Sequence, residues 1–364
     1  MIRTILFMIS TLLFMGCVTD APYKLPAVSF NPEQLDDGWV VSSAEEQEMS
    51  RDLLTSIQEK LHDEDIFFNT KSLIIARNGE LVFETYIQDP EDRGRIGHIQ
   101  SMTKSVTSLI TGIALQDGLI DSLNQPVVDL IPNIYPDNAR KREITIRHLL
   151  TMRSGLDIDN SVFSVKMYVD KPENPARYIL DLPLYADPGE RFYYRDCDPH
   201  LMSYIIGELS GRSIEEIARE RLFTPLGIED YYWGSDHSGT SMGAHGLHAK
   251  PRDLLKIGQL VLQNGKWEGQ QLVDSSWVSQ ATQTQVQTPD DYGWNYGYYW
   301  WMVPEWNGFS AWGHGGNFIM VLPDYGMVIL MTSMPDTNDE LVGSALNHLE
   351  DLIRPLMESL QAME

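Results

Sequence analysis

The chain has 364 residues, of which 43% are hydrophobic and 22% charged, and its formal net charge is −25 at pH 7. Such acidity argues against a nucleic acid partner and against attraction to an anionic membrane surface. Only two cysteines occur, Cys17 and Cys197, and Cys17 lies in an N-terminal signal-like segment. We therefore expect a core that holds by packing, without an intramolecular disulfide.

The first twenty residues, MIRTILFMISTLLFMGCVTD, are typical of a bacterial export signal. One cation, Arg3, precedes an apolar run from Ile5 to Met15 that is short for a membrane span. Gly16 directly before Cys17 resembles a lipoprotein cleavage site, which predicts a signal peptide over residues 1–16 and a lipid on Cys17. The alternatives are an ordinary cleaved signal peptide and an uncleaved anchor. A lipid would tether the protein to the cell envelope, with the outer membrane favoured, and leave its folded part in the periplasm.

The next segments predict an arm, a helix and a hairpin. Residues 17–43 contain several prolines and predict a tether and N-terminal arm, and residues 44–364 predict one folded domain. Residues 44–63 predict a helix with acidic residues in its first turn. Residues 71–87 predict a β-hairpin, because two apolar runs flank Asn78-Gly79.

The stretch HIQSMTKSVTSLITGIALQDG, residues 98–118, predicts a mostly buried helix. Its apolar residues recur at helical spacing, and the segment carries no charge between Lys104 and Asp117. Ser101 and Lys104 lie one turn apart on the same helix face. A lysine on a buried helix calls for a chemical explanation.

Helical patterns dominate residues 120–290, and the clearest, around residues 250–265, has Pro251 in its first turn and Gly265 at its end. Strand patterns return at residues 309–333, and a closing helix is predicted at residues 338–360. Strands at both ends with helices between them predict an α/β (α+β) fold. One antiparallel sheet is built from both chain ends and flanked by helices, with a mostly helical region between.

Ser101 and Lys104 together have the chemistry of an activated nucleophile. A serine hydroxyl is a poor nucleophile until a base removes its proton. Burial at a helix N-terminus lowers the pKa of a lysine, so we expect Lys104 to be a usable base. The backbone N–H groups of the helix start would also stabilise a developing oxyanion.

A rival motif is Gly239-Thr240-Ser241-Met242-Gly243, which matches the nucleophile elbow Gly-x-Ser-x-Gly. That elbow needs a buried strand before it and a helix directly after it, and neither is indicated here, so we predict no catalytic role for Ser241. His245 and His248 have the spacing of a metal pair, but no cysteine or carboxylate completes a zinc site. We expect neither a metal nor another cofactor.

Longer motifs carry a family resemblance. GHIQSMTKSVTSLITGIALQDGLIDSLNQPVVDLIP and ITIRHLLTMRSGL, followed by PGERFYYRDCDPHLMSYIIGELSG and AWGHGGNFIMVLPDYGMVIL, resemble serine hydrolases related to class C β-lactamases and DD-peptidases. The resemblance spans about residues 38–355 and implies the β-lactamase/DD-peptidase fold. It makes Ser101 the nucleophile, with Lys104 and Tyr194 as its catalytic partners. Tyr193 is the alternative to Tyr194.

This sequence departs from the motifs of the family at two places. Asp196 stands where the family has an asparagine, which puts β-lactam-type amide recognition in doubt. The family's Lys-Thr-Gly strand motif reads His314-Gly315-Gly316 here. The two glycines would let substrate approach the strand backbone, and the oxyanion hole would use the backbone N–H groups of Ser101 and Asn317.

Replacing the motif's lysine by His314 removes the fixed cation that would hold a substrate carboxylate. The alternative is that His314 only caps a strand or that Arg195 has taken over as the cation. The dense aromatic tract at residues 292–306 is typical of core, but it could also wall an apolar pocket, and we choose Trp301 and Trp312 as candidate walls.

The sequence therefore predicts a serine hydrolase that cleaves uncharged esters or small amides through an acyl-enzyme. It most resembles the family's branch of esterases and 6-aminohexanoate-oligomer hydrolases. A D-amino-acid peptidase or β-lactamase acting on peptidoglycan-type substrates is the alternative enzyme. A non-enzymatic binding lipoprotein on the same fold is the alternative of another class.

Overall fold

The computed structural model describes residues 32–334 and 348–362, apart from Pro132. The predicted signal peptide, the lipidation site at Cys17 and most of the predicted tether lie outside these residues, so the proposed division of the chain remains a prediction. Within the described ranges, no helix has both the length and the apolar character needed to cross a membrane.

A seven-stranded sheet forms the centre of the fold, in the order β1-β3-β2-β12-β11-β10-β9. Every pair is antiparallel except β1 with β3. The sheet joins strands from both ends of the described chain, which confirms the predicted fold class. Its strands are β1 (Val40–Val41), β2 (Thr70–Arg77), β3 (Glu80–Tyr86), β9 (Trp301–Val303), β10 (Gly308–Gly313), β11 (Asn317–Leu322) and β12 (Met327–Ser333).

The predicted hairpin is present as β2 and β3. Asn78 and Gly79 connect the strands with φ angles of 52° and 85°. Both angles are positive, as the tight turn that matches strand twist requires, and asparagine and glycine tolerate them best. The local sequence alone therefore determines this hairpin.

Alternate residues of the central strands face two different cores. Ile74 and Leu330 pack on the side of the helical region, whereas Leu73 and Ile329 pack on the other side against the first and last helices. Period-two alternation on a sheet covered on both faces explains why these strands read as continuous apolar runs.

Ten α-helices are found in the described residues: α1 (Arg51–Asp63), α2 (Met102–Gln116), α3 (Ile146–Leu150), α4 (Asn160–Val165), α5 (Pro175–Asp181), α6 (Cys197–Ser210), α7 (Ile214–Ala218), α8 (Pro251–Leu262), α9 (Ser275–Ala281) and α10 (Arg354–Gln361). One π-helical turn follows each of α4 and α7, and another precedes α10. The helix predicted at residues 338–360 is present from His348 onward, as the π-helical turn Leu349–Ile353 followed by α10, and residues 335–347 lie outside the described part.

The first helix starts later than the sequence predicts. Residues 44–48 form a turn, and α1 begins at Arg51, where the Ser50 side chain accepts a hydrogen bond from the backbone N–H of Leu53. The acidic residues that were expected in the first helical turn lie before the helix. Glu45 forms an ion pair with Arg51, and the Glu46 carboxylate accepts a hydrogen bond from the backbone N–H of Ser43. Serine is the stronger N-cap signal, and it determined the helix start.

The helical region also contains short strands that the sequence analysis did not predict. A three-stranded sheet has the order β4-β6-β5, and a hairpin joins β7 to β8. Their bounds are β4 (Gly97–His98), β5 (Tyr231–Trp233), β6 (Leu247–Ala249), β7 (Lys266–Trp267) and β8 (Gln270–Gln271). The three-stranded sheet matters for the site because β4 leads directly into α2.

Candidate active site

Ser101 lies at the start of α2, at the base of a cavity of about 920 Å³. The chain turns sharply from β4 into the helix through Gln100, whose φ of 53° is uncommon for a residue other than glycine. Residues 102–114 of α2 are all buried. The buried helix therefore fixes the position of the half-buried serine at its first turn.

Lys104 is one turn further along α2 and is 1% exposed. Its Nζ donates to Ser101 Oγ at 2.7 Å and to the carbonyl oxygen of Ala244 at 3.0 Å. The same Nζ forms an ion pair with Asp196 Oδ1 at 2.8 Å. The structure thus brings together the serine and lysine that the helical spacing predicted, and it adds the carboxylate of Asp196, the residue that precedes α6.

The expected lowering of the Lys104 pKa is wrong. Burial does lower it, but the Asp196 carboxylate and Tyr194 together outweigh burial, and the pKa is raised above its ordinary value of 10.5. The prediction considered burial and the helix N-terminus, both local features, and omitted a charge 92 positions along the chain. Lys104 is consequently a cation at neutral pH, and it donates a hydrogen bond to the serine.

Tyr194, not Tyr193, is the tyrosine beside Lys104. The Lys104 Nζ lies 4.8 Å from the centroid of the Tyr194 ring, and this ring stacks on Trp301 with centroids 5.6 Å apart. Tyr193 packs instead against Tyr185, and its backbone N–H donates to the carbonyl of Met152. Adjacent residues on an extended segment point to opposite sides, which decides between the two tyrosines.

Asp196 immediately precedes α6, where its backbone N–H donates to Asn160 Oδ1 at 2.9 Å. Its carboxylate lines the cavity and is mostly buried. The next residue, Cys197, points away from the cavity into the core, and burial raises its pKa well above the usual value for a thiol. Arg195 packs against the Tyr193 ring and faces Asp157, so it does not supply a cation to the cavity.

His314-Gly315-Gly316 forms the turn between β10 and β11, not the strand segment that the family motif implied. Gly315 and Gly316 have φ angles of 80° and 89°, which reverse the chain. A methyl group on Gly316 would lie 2.9 Å from the ring of His348, so this position also needs glycine for packing. His314 is exposed and lines the cavity.

The Asn317 side chain forms hydrogen bonds to this turn and to the end of β12. Its Nδ2 donates to the carbonyl of His314 at 2.8 Å, and its Oδ1 accepts from the backbone N–H of Ser333 at 2.9 Å. Gly315, Gly316 and Asn317 do not line the large cavity, so their roles in substrate and oxyanion binding remain predictions. Gly313, at the end of β10, packs against the segment just before Ser101, because a methyl group there would lie 2.6 Å from the carbonyl oxygen of Ile99.

Aromatic and histidine side chains form much of the cavity lining. Trp301 and Trp312 both line it, as the sequence analysis proposed. The other lining group was missed, and it comprises His98 from β4, His248 from β6 and His245 between β5 and β6. His98 and His248 are partners across β4 and β6, and their rings stack with centroids 4.6 Å apart. No sequence signal connects strands so short and so far apart.

The cavity offers little positive charge to a substrate. Burial lowers the pKa of His98 and of His245 to about 4, so both are neutral at pH 7. Among the described residues that line the cavity, none is lysine or arginine. Lys104 lies beneath the lining, and the Asp196 carboxylate balances its charge.

Ser241 does not line the cavity that contains Ser101. Its side chain is 3% exposed, and its Oγ accepts from the backbone N–H of Glu215 at 3.4 Å. It forms a bridge with Ser235 and is not followed by a helix. A nucleophile elbow has a different geometry. The structure therefore agrees with the prediction that Ser241 has no catalytic role.

Comparisons with known proteins agree with this fold. The family described as beta-lactamase matches residues 68–349, which is more than half of the chain. The chain is 22% identical over 225 residues to the 6-aminohexanoate-dimer hydrolase of Paenarthrobacter ureafaciens, covering 57% of this chain and 56% of that protein. It is 25% identical over 175 residues to the lovastatin esterase of Penicillium rubens, covering 42% of this chain and 43% of that protein.

The chain thus spans about half the length of the curated relatives it matches. A solved structure from Bacillus anthracis, provisionally named a 6-aminohexanoate-dimer hydrolase, superposes with a TM-score of 0.73 at 21% identity and covers 92% of each chain. This similarity establishes the fold. The family match over most of the sequence confirms the resemblance seen in the motifs, and the chain belongs to the beta-lactamase family.

Proposed function

We propose that the protein is a serine hydrolase that cleaves uncharged esters or small amides through an acyl-enzyme on Ser101. The observation that carries the proposal is the hydrogen bond of 2.7 Å between Lys104 Nζ and Ser101 Oγ at the base of a large cavity. Family membership and the names of two relatives, a 6-aminohexanoate-dimer hydrolase and a lovastatin esterase, support hydrolysis of amides or esters.

Acylation needs a nucleophile, a proton acceptor and a stabilised oxyanion. Ser101 Oγ would attack the carbonyl carbon while Tyr194 takes part in moving the proton. The backbone N–H groups of Ser101 and Asn317, which the family resemblance assigns to the oxyanion hole, would stabilise the negative oxygen. Water would then release the acyl group by the reverse sequence.

The charge of the cavity favours neutral substrates. A carboxylate-bearing substrate would meet His98 and His245, which are both neutral, and, among the described lining residues, no lysine or arginine. It would also approach the Asp196 carboxylate, which lines the same cavity. A D-amino-acid peptidase or β-lactamase activity, the alternative within enzymes, requires an anchor for such a carboxylate.

A fluorophosphonate probe tests the proposal directly, because it reacts with activated serines. We expect covalent labelling of the wild-type protein and of Ser241→Ala, and no labelling of Ser101→Ala. Labelling lost in Ser241→Ala but retained in Ser101→Ala would show that the nucleophile elbow is the site. A wild-type protein that the probe does not label would favour the binding lipoprotein.

We also propose that the protein is anchored to the cell envelope by a lipid on Cys17, with the folded part in the periplasm. Gly16-Cys17 after the apolar run supports this proposal. Cys17→Ser should move the protein from the membrane fraction to the soluble fraction while kcat stays unchanged. A variant that still sediments with membranes would contradict lipid anchoring.

A further inference from the structure

Lys104 is surrounded by acceptors. Ser101 Oγ, Asp196 Oδ1 and the carbonyl oxygen of Ala244 lie 2.7, 2.8 and 3.0 Å from its Nζ. An ammonium group has three N–H donors and no acceptor; here it donates hydrogen bonds to Ser101 Oγ and the Ala244 carbonyl, and it forms an ion pair with the Asp196 carboxylate. A lysine held in this way donates to the serine and has no lone pair with which to take the serine's proton.

We propose that Asp196 is a positioning residue that keeps Lys104 a hydrogen-bond donor to Ser101, so that the serine proton passes to Tyr194. The inference rests on the proposed serine hydrolase function and specifies how its proton transfer is arranged. It assigns a role to the aspartate that departs from the asparagine of the family motif.

The position of Asp196 suits this role. Its carboxyl side chain is 11% exposed, and the hydrogen bond from its backbone N–H to Asn160 fixes it at the start of α6. A buried cation without a partner carries a large desolvation cost, and a nearby carboxylate offsets it. With the carboxylate removed, Tyr194 would remain the main neighbour that opposes the lowering of the Lys104 pKa by burial, so we expect the pKa to fall and a neutral amine to become available as a base.

Tyr194 and several other titratable side chains interact with this pair. His245 approaches from the segment before β6 and is neutral, since burial lowers its pKa to about 4. Tyr168, in the π-helical turn after α4, has a pKa raised to about 12 by burial, and burial also raises the pKa of Tyr296. On α6, the Cys197 thiol has a raised pKa, and Asp198 accepts a hydrogen bond from Ser154 instead of facing Lys104. These neighbours do not replace the Asp196 charge.

The proton transfer balances without a change at Lys104. In acylation, Oγ bonds to the acyl carbon while the Ser101 hydroxyl proton moves to the Tyr194 oxygen, the Tyr194 hydroxyl proton moves to the leaving oxygen or nitrogen, and the bond between the acyl carbon and that leaving atom breaks. Lys104 keeps three protons throughout and stabilises the negative charge that develops on Oγ.

The experiment combines Asp196→Asn with Tyr194→Phe and measures kcat/KM for a neutral p-nitrophenyl ester between pH 6 and 10. In the wild-type background, Tyr194→Phe should lower kcat/KM by about a hundredfold or more, the usual effect of removing a general base. In the Asp196→Asn background, the same change should cost less than about tenfold, because Lys104 then accepts the proton.

The pH profile gives a second readout, which a purely structural role would not change. In Asp196→Asn, kcat/KM should rise with pH as Lys104 loses its proton, at a pH below its ordinary pKa of 10.5. The wild type should show no such rise, because its Lys104 stays charged there. The inference would be overturned if Tyr194→Phe lowered kcat/KM by the same factor in both backgrounds and Asp196→Asn left the pH profile of kcat/KM unchanged.

A matched control is the second buried lysine–aspartate pair, Lys256 with Asp253 on α8, whose ion pair spans 3.0 Å outside the cavity. Asp253→Asn also leaves a buried lysine without its carboxylate, so it should alter stability but not the pH profile of kcat/KM. A profile altered equally by Asp253→Asn would overturn the inference. Fluorophosphonate labelling of wild-type Ser101 separates the two proposals. If Ser101 is labelled but the Asp196→Asn results differ from those expected, only the positioning role of Asp196 is refuted. If Ser101 is not labelled, the proposed serine hydrolase function is refuted.

Discussion

At the scale of single residues, Asp198 is a buried carboxyl that opposes folding at neutral pH. Burial raises its pKa from 3.8 to about 7, although Ser154 donates a hydrogen bond to Oδ1 at 2.6 Å. The folded state therefore binds this proton more tightly than the unfolded state does, so stability falls as pH rises from about 4 to 7.

Asp198→Asn should remove this pH dependence, because the amide stays neutral. The stability of the variant relative to wild type should increase between pH 4 and 7 and then level off, with a total change of a few kcal/mol, on the order of 1.4 kcal/mol per pKa unit. Urea unfolding at several pH values measures it. A constant difference between the two proteins across this range would contradict the raised pKa.

His314 provides a residue-scale test of the proposed substrate charge. His314→Lys would place a fixed cation at the cavity rim, and a charge-assisted hydrogen bond is worth about 1.5–3 kcal/mol, roughly ten- to a hundredfold in kcat/KM. The ratio of kcat/KM for an anionic ester to that for a neutral ester should rise by this factor. Tyr135→Lys, at a residue that is 72% exposed and does not line the cavity, is the control and should leave the ratio unchanged.

A flat ratio in folded His314→Lys would show that this side chain does not approach the acid group of the substrate. A wild-type preference for carboxylate-bearing substrates would contradict the neutral-substrate proposal itself.

At the scale of elements, α2 is held in place by close contact with α9. Trp277 Nε1 donates to the carbonyl of Ser108 at 2.9 Å, and a methyl group on Gly112 would lie 2.1 Å from Trp277 Cδ1. Gly112 therefore lets the indole pack directly on the helix that carries the nucleophile. A side chain there would push the two helices apart.

Gly112→Ala should destabilise the protein by about 1–3 kcal/mol through overpacking, despite the better helix propensity of alanine. Gly207→Ala in α6 is the matched control, since the nearest atom to its added methyl group is the Arg212 carbonyl oxygen at 3.7 Å. That change should be neutral or stabilising by up to about 1 kcal/mol. Urea unfolding compares both variants with wild type, and equal effects would refute the packing argument.

At the scale of the whole molecule, Arg252 connects the N-terminal arm to the rest of the fold. Its guanidinium bonds to both carboxylate oxygens of Glu84 on β3, to Asp37 in the arm and to the carbonyl oxygen of Glu33. Arg252 lies on α8 and is 4% exposed. One buried side chain thus ties together the arm, the central sheet and a helix that packs on it.

Arg252→Met should destabilise the protein by about 3–5 kcal/mol, because Glu84 is left buried without its cation. It should also expose the arm to proteolysis, which limited digestion followed by mass spectrometry would detect. Arg177→Met removes an exposed pair with Asp181 and should have little effect on either measurement. Similar losses in the two variants would argue against the connecting role of Arg252.

Much of the site follows from short-range spacing in the sequence. Residues three apart on a helix share a face wherever the helix lies, so Ser101 and Lys104 had to be neighbours. Asn78-Gly79 specified its own turn, because few residues accept positive φ. The apolar strands at both ends of the domain predicted the shared sheet. Longer family motifs identified Tyr194 and the segment His314-Gly315-Gly316, although they implied a strand where the structure has a turn.

The tertiary structure alone decided the charge of Lys104 and the lining of the cavity. The pKa of a buried lysine depends on which charges pack against it, and the decisive carboxylate, Asp196, precedes a different helix, α6. The pairing of His98 with His248 joins β4 to β6 across about 150 residues, a distance over which sequence periodicity carries no information. Short-range patterns determined which groups exist and which face they share, and long-range packing determined their ionisation and the surface that a substrate meets.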